Sequence, residues 1–303
     1  MSSINTNLSA MTALQSLKST QNAMNKTQNQ ISTGLRVGEA SHNASYWSIS
    51  TQMKSDNGAL GAVKDAIGQS KSMINTFTSA MDKTLTYLNK MKEGLVTARQ
   101  PGADKAKIQG EFDAHIAGMQ SAAASATFNE QNWLKGVAPA DATEHPQLVV
   151  SYDGKTNAVQ TLAIDTTKTQ LFSPGGTTGI LEKSLGTAST AAGGGALVAI
   201  EDIDIASATT VQIDAALESV DAAIKAVTEG SAMLGANKAL LETQEEFIGA
   251  LSDNLTAGVS TFIDADMNEA STRYQALQTQ QQLGVQALSM ANQNSQMILK
   301  LFQ

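Results

Sequence analysis

The chain has 303 residues, with 28 acidic against 20 basic side chains and a formal net charge of −8. It contains no cysteine, which excludes disulfides, thiolate metal sites and cysteine nucleophiles. The acidic balance without a basic stripe argues against a nucleic-acid partner. No run of about 18 apolar residues predicts a transmembrane helix, and no cleavable secretory signal is expected. Aromatic residues are only 4% of the chain, which favours long helices over a β-rich globule.

Both ends of the chain are neutral and amphipathic. No charged residue occurs in 1–17 or in 276–299, where Gln, Asn, Ser and Thr alternate with apolar residues at helical spacing. Leu17, Met24 and Ile31 recur every seventh residue, which is typical of coiled-coil contacts. Gly34 marks the expected end of this first helix. Interfacial helices usually carry Lys and Arg on their polar face, so a membrane is not the expected partner.

Two more helices are predicted in the first half of the chain. One covers 45–100 and ends at Pro101-Gly102, and the next covers 103–127. The pattern then changes to two short β-type runs, 148–152 and 159–164, which predict a hairpin around Asp153-Gly154. A Gly-, Thr- and Ala-rich stretch over 173–195 is expected to be exposed and weakly structured.

Helical spacing returns in the last third of the chain. One helix is predicted over 211–255, and the last begins near Asp266, with Asp264 or Asp266 as its N-cap. The predicted fold is therefore mainly α: a long antiparallel helical bundle or coiled coil formed by the N- and C-terminal halves, with a small insertion containing the β-hairpin at its far end.

Three domains are expected from this order of elements. Residues 1–40 and 261–303 would form a terminal coiled-coil domain, and 41–145 with 206–260 a helical core domain. Residues 146–205 would form the hairpin insertion.

Residues that might carry chemistry do not form a site. His42, His115 and His145 are far apart and lack the spacing of a zinc-binding helix. The carboxylates of Asp264, Asp266 and Glu269 do not follow the calcium-loop pattern, and helix capping explains them better. No enzymatic activity, metal or cofactor is therefore expected.

The neutral ends are best explained by assembly. Ordering about 75 terminal residues costs roughly 1–2 kcal/mol each, and one standard interface buries only about 1,600 Å². A single pair of Gln-rich helices cannot offset that cost, so several copies must share the burial. Absence of charge fits a polymer wall, where each charge would be repeated at short range. The residues predicted for self-assembly are Ile4, Leu8, Met11, Leu14, Leu17, Met24, Ile31, Leu35, Leu283, Ala287, Leu288, Met290, Ile298 and Leu301.

Several segments resemble bacterial flagellins. Near the start these are Ser-Ser-Ile-Asn-Thr-Asn at 2–7, Ile-Ser-Thr-Gly-Leu-Arg-Val at 31–37, and 40–49. Near the end they are Ile-Asp-Ala-Asp-Met-Asn-Glu at 263–269 and Gln-Gln-Leu-Gly-Val-Gln-Ala-Leu at 281–288. The resemblance covers about 1–145 and 206–303. One departure is Glu130, which stands where the family's Phe-Asn-Gly turn has glycine.

The resemblance implies a structural subunit of an extracellular, motor-driven swimming filament. The terminal helices would form its inner tube and the helical core its outer tube. Implied partners are further copies of the chain, an export chaperone at the C-terminal helix, the type III export apparatus, the filament cap and hook-associated junction proteins. A short form lacking the large outer domains is expected. Two alternatives stay open: a hook–filament junction protein, and a flagellin that carries an enzyme in its insertion.

One segment departs from flagellins that are sensed by the flagellin-specific Toll-like receptor. Those resemble Leu-Gln-Arg-Val-Arg-Glu-Leu-Ala-Val-Gln, whereas 88–97 here reads Leu-Asn-Lys-Met-Lys-Glu-Gly-Leu-Val-Thr. Lysine cannot reproduce the planar two-point hydrogen bonding of arginine, and glycine removes an apolar side chain. We therefore expect weak receptor activation. The altered segment is defined by Leu88, Lys90, Lys92, Glu93 and Gly94.

Overall fold

The computed structural model describes residues 7–136, 146–156, 158–173, 178–182 and 199–301, with side chains as far as residue 293. Within these residues the chain forms five α-helices and one two-stranded antiparallel sheet. In chain order the elements are α1 (Leu8–Thr33), α2 (Ala44–Ala98), α3 (Lys105–Ser125), β1 (Gln147–Asp153), β2 (Ala158–Ala163), α4 (Thr210–Ile263) and α5 (Met267–Leu301). The predicted fold class, mainly helical with a small hairpin, is confirmed.

Helix α1 ends where the sequence predicts. The Asn7 side chain accepts a hydrogen bond from the Ala10 amide at 3.0 Å and caps its start. Gly34 closes its end in the left-handed conformation, with φ +72°, and its N–H bonds to the Gln30 carbonyl. Glycine is favoured there because other residues pay a steric cost at positive φ.

Helices α1 and α5 run antiparallel and pair with each other. The Asn7 amide donates to the Ala291 carbonyl at 3.0 Å, and the Gln281 amide donates to the Gln21 side chain at 2.7 Å. Half-buried or buried positions recur every three or four residues along both helices, as in a coiled-coil seam. The predicted pairing of the two chain ends is therefore present.

The two connectors at one end of this pair are bonded to each other. The Arg36 and Val37 amides donate to the Ile263 carbonyl, and the Ala265 amide donates to the Gly34 carbonyl. A small core of Val37, Val259 and Ile263 lies beneath them. This packing explains why α4 continues to Ile263, eight residues beyond the predicted end at 255.

By contacts, the chain divides into two compact units. The terminal unit comprises Met1–Gly58 and Leu251–Gln303, and the central unit comprises Ala59–Ala250. Helices α2 and α4 belong partly to each unit. The predicted domain limits at 40 and 261 differ from these unit limits and lie near the α1–α2 and α4–α5 connectors. The predicted domains stay a prediction.

In the central unit, α2 and α4 are antiparallel and joined by ion pairs along their length. Lys71 Nζ lies 2.8 Å from Glu245 Oε2, and Lys92 Nζ lies 2.6 Å from Asp221 Oδ1. The core of this unit is apolar and rich in methionine and phenylalanine. Its fully buried side chains include Ile67, Phe77, Met81, Leu88, Met91, Leu95, Phe112, Met119, Val220, Leu234 and Leu241.

The hairpin forms close to its predicted bounds. β1 pairs with β2 from Gln147 opposite Ala163 to Asp153 opposite Ala158, with one irregularity between Val149 and Ser151. The Asp153 carboxylate accepts hydrogen bonds from the Lys155 amide and the Thr156 hydroxyl, which stabilises the turn.

The expectation of an exposed stretch over 173–195 is wrong for its described part. Ile180 and Leu181 are buried, and the Leu181 amide donates to the Leu171 carbonyl. Gly179 makes this possible, because a Cβ there would lie 2.4 Å from the Leu171 carbonyl oxygen. Two apolar residues next to a glycine therefore bury themselves in a segment whose composition suggests a flexible surface. Residues 174–177 and 183–198 lie outside the described chain.

Candidate polymerisation surface

The apolar residues of α1 fall into two groups. Leu17, Met24 and Ile31 lie half-buried in the seam with α5. Leu8, Met11 and Leu14 instead face outward, with 75%, 61% and 56% of their surface exposed. The sequence predicted both groups as assembly residues but did not separate them, because an isolated helix gives no sign of which apolar face its partner covers.

Helix α5 shows the same division. Leu288 is half-buried in the seam, whereas Leu283, Ala287 and Met290 are exposed. Val285, which the sequence analysis missed, is also 54% exposed. Both helices therefore carry large apolar side chains that their mutual packing leaves uncovered. Ile4 and the side chains of Ile298 and Leu301 lie outside the described residues.

The seam between α1 and α5 buries few side chains. Thr27 is the one buried residue of α1, and its hydroxyl donates back to the Ala23 carbonyl. Gly284 lies opposite the Leu17 side chain, where an added Cβ would make ordinary contact with a Leu17 methyl carbon at 3.4 Å. Ala, Thr, Gln and Gly supply much of this interface. Helices this exposed gain little apolar burial from each other.

The connector next to the seam carries an aromatic cluster. Tyr46 stacks on Phe262 at a ring separation of 5.6 Å, and the Arg36 guanidinium lies 6.0 Å from the Tyr46 ring. Arg36 also donates to the Phe262 carbonyl at 3.0 Å. Leu35 is half-buried against the small core of Val37, Val259 and Ile263. Trp47 and Ile49 remain exposed beside it, although they are not among the residues predicted for self-assembly.

Charged groups of the terminal unit form local contacts. The Asp266 carboxylate accepts from the Asn268 and Glu269 amides and caps α5, as expected. Glu269 pairs with Arg273 one turn along the helix at 2.7 Å, with both side chains well exposed. Across the part of the chain that the structure describes, no cluster of three His, Cys, Asp or Glu side chains is arranged to hold a metal ion.

The altered receptor-type segment lies on α2. Leu88 is fully buried, and Lys92 is held by the Asp221 carboxylate. Lys90 and Glu93 are exposed. A Cβ on Gly94 would make only ordinary contact with Ile108, at 3.5 Å, so packing does not require glycine there.

Among the described residues, no helix is both long and apolar enough to span a membrane.

Comparison with known proteins identifies the family. The family model of the bacterial flagellin N-terminal helical region matches residues 4–138, and that of the C-terminal helical region matches 217–302. Flagellin C of Rhizobium meliloti strain 1021 is 41% identical, over the whole of both chains. A flagellin of Brucella melitensis is 41% identical, over all of this chain and 99% of its own. The chain therefore belongs to the bacterial flagellin family, whose members are structural subunits of the extracellular flagellar filament.

Proposed function

We propose that α1 and α5 supply the contacts that join copies of this flagellin in the filament. The observation that carries the proposal is the set of large apolar side chains exposed on two helices that are almost free of charge. Full burial of one such side chain contributes about 1.5–3 kcal/mol. Repeated along a polymer, these contacts supply the burial that the α1–α5 seam lacks.

Absence of charge on this surface supports the same proposal. A helical polymer repeats each subunit surface at short intervals, so identical charges on neighbouring copies lie near one another, and an unpaired charge buried there is costly. Gln and Asn side chains donate and accept hydrogen bonds without such repulsion, as the Gln281–Gln21 bond within one copy illustrates. Residues 1–40 and 261–303 would then line the inner tube, with 41–145 and 206–260 outside them.

Leu283→Asp tests this proposal. The variant places a charge on the exposed apolar edge of α5, so we expect monomers that no longer grow filaments while their far-ultraviolet circular dichroism stays helical. Leu283→Met is the matched control, because it keeps an apolar side chain of similar volume and should polymerise. Electron microscopy and sedimentation give the readout. Normal filaments from Leu283→Asp would refute the role of this edge.

Export and assembly partners follow from family membership. We propose that an export chaperone binds α5, that the type III apparatus secretes the chain, and that cap and hook-associated proteins contact it in the assembled flagellum. Deletion of 283–303 should block polymerisation and weaken chaperone binding. Chaperone binding of unchanged affinity after the deletion would place that partner elsewhere.

We also propose that the protein has no enzymatic activity, since no paired nucleophile and base emerge from its sequence. A peptidase assay with and without chelator tests this, and chelator-sensitive cleavage would contradict it.

The altered segment on α2 should activate the flagellin-sensing receptor weakly, because Leu88 is buried and Lys92 is engaged by Asp221. Full potency in a reporter assay would refute that expectation.

A further inference from the structure

The methionines of the chain divide between core and surface. Among the described side chains, those of Met11 and Met290 are 61% and 63% exposed, and both lie on the nearly charge-free helices α1 and α5. Met267, in the first turn of α5, is also exposed. An oxidant in water therefore reaches thioethers of the terminal unit but not those of the central core. The described methionines that are buried all belong to the central unit: Met73, Met81, Met91 and Met119.

The two most exposed methionines lie near the same level of the α1–α5 pair. The hydrogen bond from Asn7 to the Ala291 carbonyl lies on one side of them along the pair, and the approach of Gly284 to Leu17 lies on the other. Because the helices run antiparallel, these two contacts place both thioethers within about one helical turn of each other along the axis. Oxidation of both would therefore alter one region of the proposed polymerisation surface.

Exposed thioethers are the sulfur groups of this chain that a peroxide can reach, because the sequence contains no cysteine. Hydrogen peroxide transfers one oxygen atom to the thioether sulfur. The O–O bond breaks, an S–O bond forms and water leaves, so the sulfur is oxidised and the peroxide is reduced. The methionine sulfoxide is polar and can be reduced again. A reductase specific for each sulfoxide epimer removes the oxygen as water, while thiol reductant is oxidised to disulfide.

We propose that Met11 and Met290 are reversible oxidation sites through which hydrogen peroxide keeps the free subunit out of the filament. The inference rests on the proposed role of α1 and α5 in polymerisation and adds a means of regulating that surface. In the monomer a sulfoxide at either position stays hydrated, so the fold is unaffected. A neighbouring copy would remove that water, and a buried polar group without a hydrogen-bond partner is costly. The flexible apolar thioether that suits such a contact is lost at the same time.

Mild treatment of the monomer with hydrogen peroxide tests the proposal. Peptide mass spectrometry should find one added oxygen atom on Met11 and Met290 well before any on the buried Met119. Thermal unfolding should be unchanged, whereas the critical concentration for growth on untreated seeds should rise about tenfold. Both sulfoxide reductases with dithiothreitol should restore growth. An unchanged critical concentration after oxidation would overturn the inference, and so would a loss of growth that the reductases do not reverse.

Leucine variants identify the sulfur atoms responsible. The double variant Met11→Leu/Met290→Leu keeps apolar side chains of similar volume, so it should polymerise. Peroxide should no longer raise its critical concentration. Met267→Leu is the matched control, because it removes a different exposed methionine of the same unit and should leave the sensitivity to peroxide intact. Equal sensitivity of the double variant and the unmodified chain would overturn the inference.

Protection in the polymer gives a second measurement, made on the unmodified chain. If neighbouring copies cover Met11 and Met290, both should gain oxygen about tenfold more slowly in filaments than in monomers, because oxidation follows exposure. Equal rates in the two states would overturn the inference. Failure of the unoxidised protein to form filaments would instead refute the proposed function.

Discussion

Glu130 occupies a backbone conformation that suits glycine. Its φ is +65° and that of Asn129 is +49°, while hydrogen bonds in both directions join Phe128 and Gln131 around them. Two consecutive left-handed residues define a type I′ turn, for which Asn-Gly is the preferred pair. Asn tolerates the left-handed region, but a residue such as Glu pays about 1–2 kcal/mol. The departure from the family's Phe-Asn-Gly pattern therefore keeps the turn and costs stability.

Glu130→Gly should stabilise the central unit. Relief of about 1–2 kcal/mol is offset by about 0.4–1 kcal/mol, because glycine gives the unfolded chain more freedom. The central values of these two ranges, about 1.5 and 0.7 kcal/mol, leave a net gain of about 0.8 kcal/mol. For a unit of this size 1 kcal/mol shifts Tm by about 2–4 °C, so we expect a rise of about 1–4 °C in thermal unfolding followed by circular dichroism.

Glu130→Ala is the matched control for this prediction. It removes the exposed carboxylate but keeps a Cβ, so the unfavourable φ remains and Tm should not rise. An equal gain from alanine would show that the charge, and not the backbone, was unfavourable. A lower Tm for Glu130→Gly would refute the assignment of a left-handed residue at this position.

Other substitutions test the packing, the charges and the capping of the helices. Gly230→Ala should destabilise the protein by about 1–3 kcal/mol in urea unfolding, because its Cβ would lie 2.2 Å from the Lys168 carbonyl oxygen. Gly235→Ala in the same helix meets nothing within 4 Å and should be neutral or stabilising. The hydrogen bond from Lys71 lowers the pKa of Glu245, so this contribution to stability is present above the unfolded pKa and lost as pH falls through the folded value. Glu245→Gln should therefore lower Tm at pH 7, and the difference should shrink as pH falls below the unfolded pKa of about 4.3 and vanish once pH is below the lowered folded pKa; a constant difference would contradict this. Asp266→Ala should speed hydrogen exchange in the first turn of α5 through loss of its cap, and unchanged exchange would argue against capping.

Local signals predicted most of the fold. Gly34 ends α1 through its own left-handed backbone, and Asp266 caps α5 by bonding to amides two and three residues on. Because these interactions are local, the sequence predicts both helix ends. The hairpin was also readable, because alternation and a turn pair specify it locally. Tertiary packing decided the features that were missed. Helix α4 extends to Ile263 because Val259 and Ile263 pack on Val37, a partner more than 200 residues away.

The candidate surface was only half predictable for the same reason. Helical spacing shows that Leu14 and Leu17 are both apolar positions of α1, but it does not show that α5 covers Leu17 and leaves Leu14 exposed. Phe247 of α4 is likewise exposed although it directly precedes the buried Ile248, because successive residues of a helix point about 100° apart. Such distinctions depend on where the partner helix lies, which no local pattern encodes.

The small residues along the α1–α5 seam have a mechanical consequence. Large interlocking side chains and buried ion pairs resist sliding, because each must be disengaged before the next position is reached. Between the larger half-buried side chains of the seam, Gly284 and the Gln281–Gln21 pair oppose axial displacement less than bulky apolar residues would. We expect this pair to resist being pulled apart sideways more than it resists shear along its length. Gly284→Leu should then stiffen filaments in bending measurements, and unchanged stiffness would show that compliance resides elsewhere.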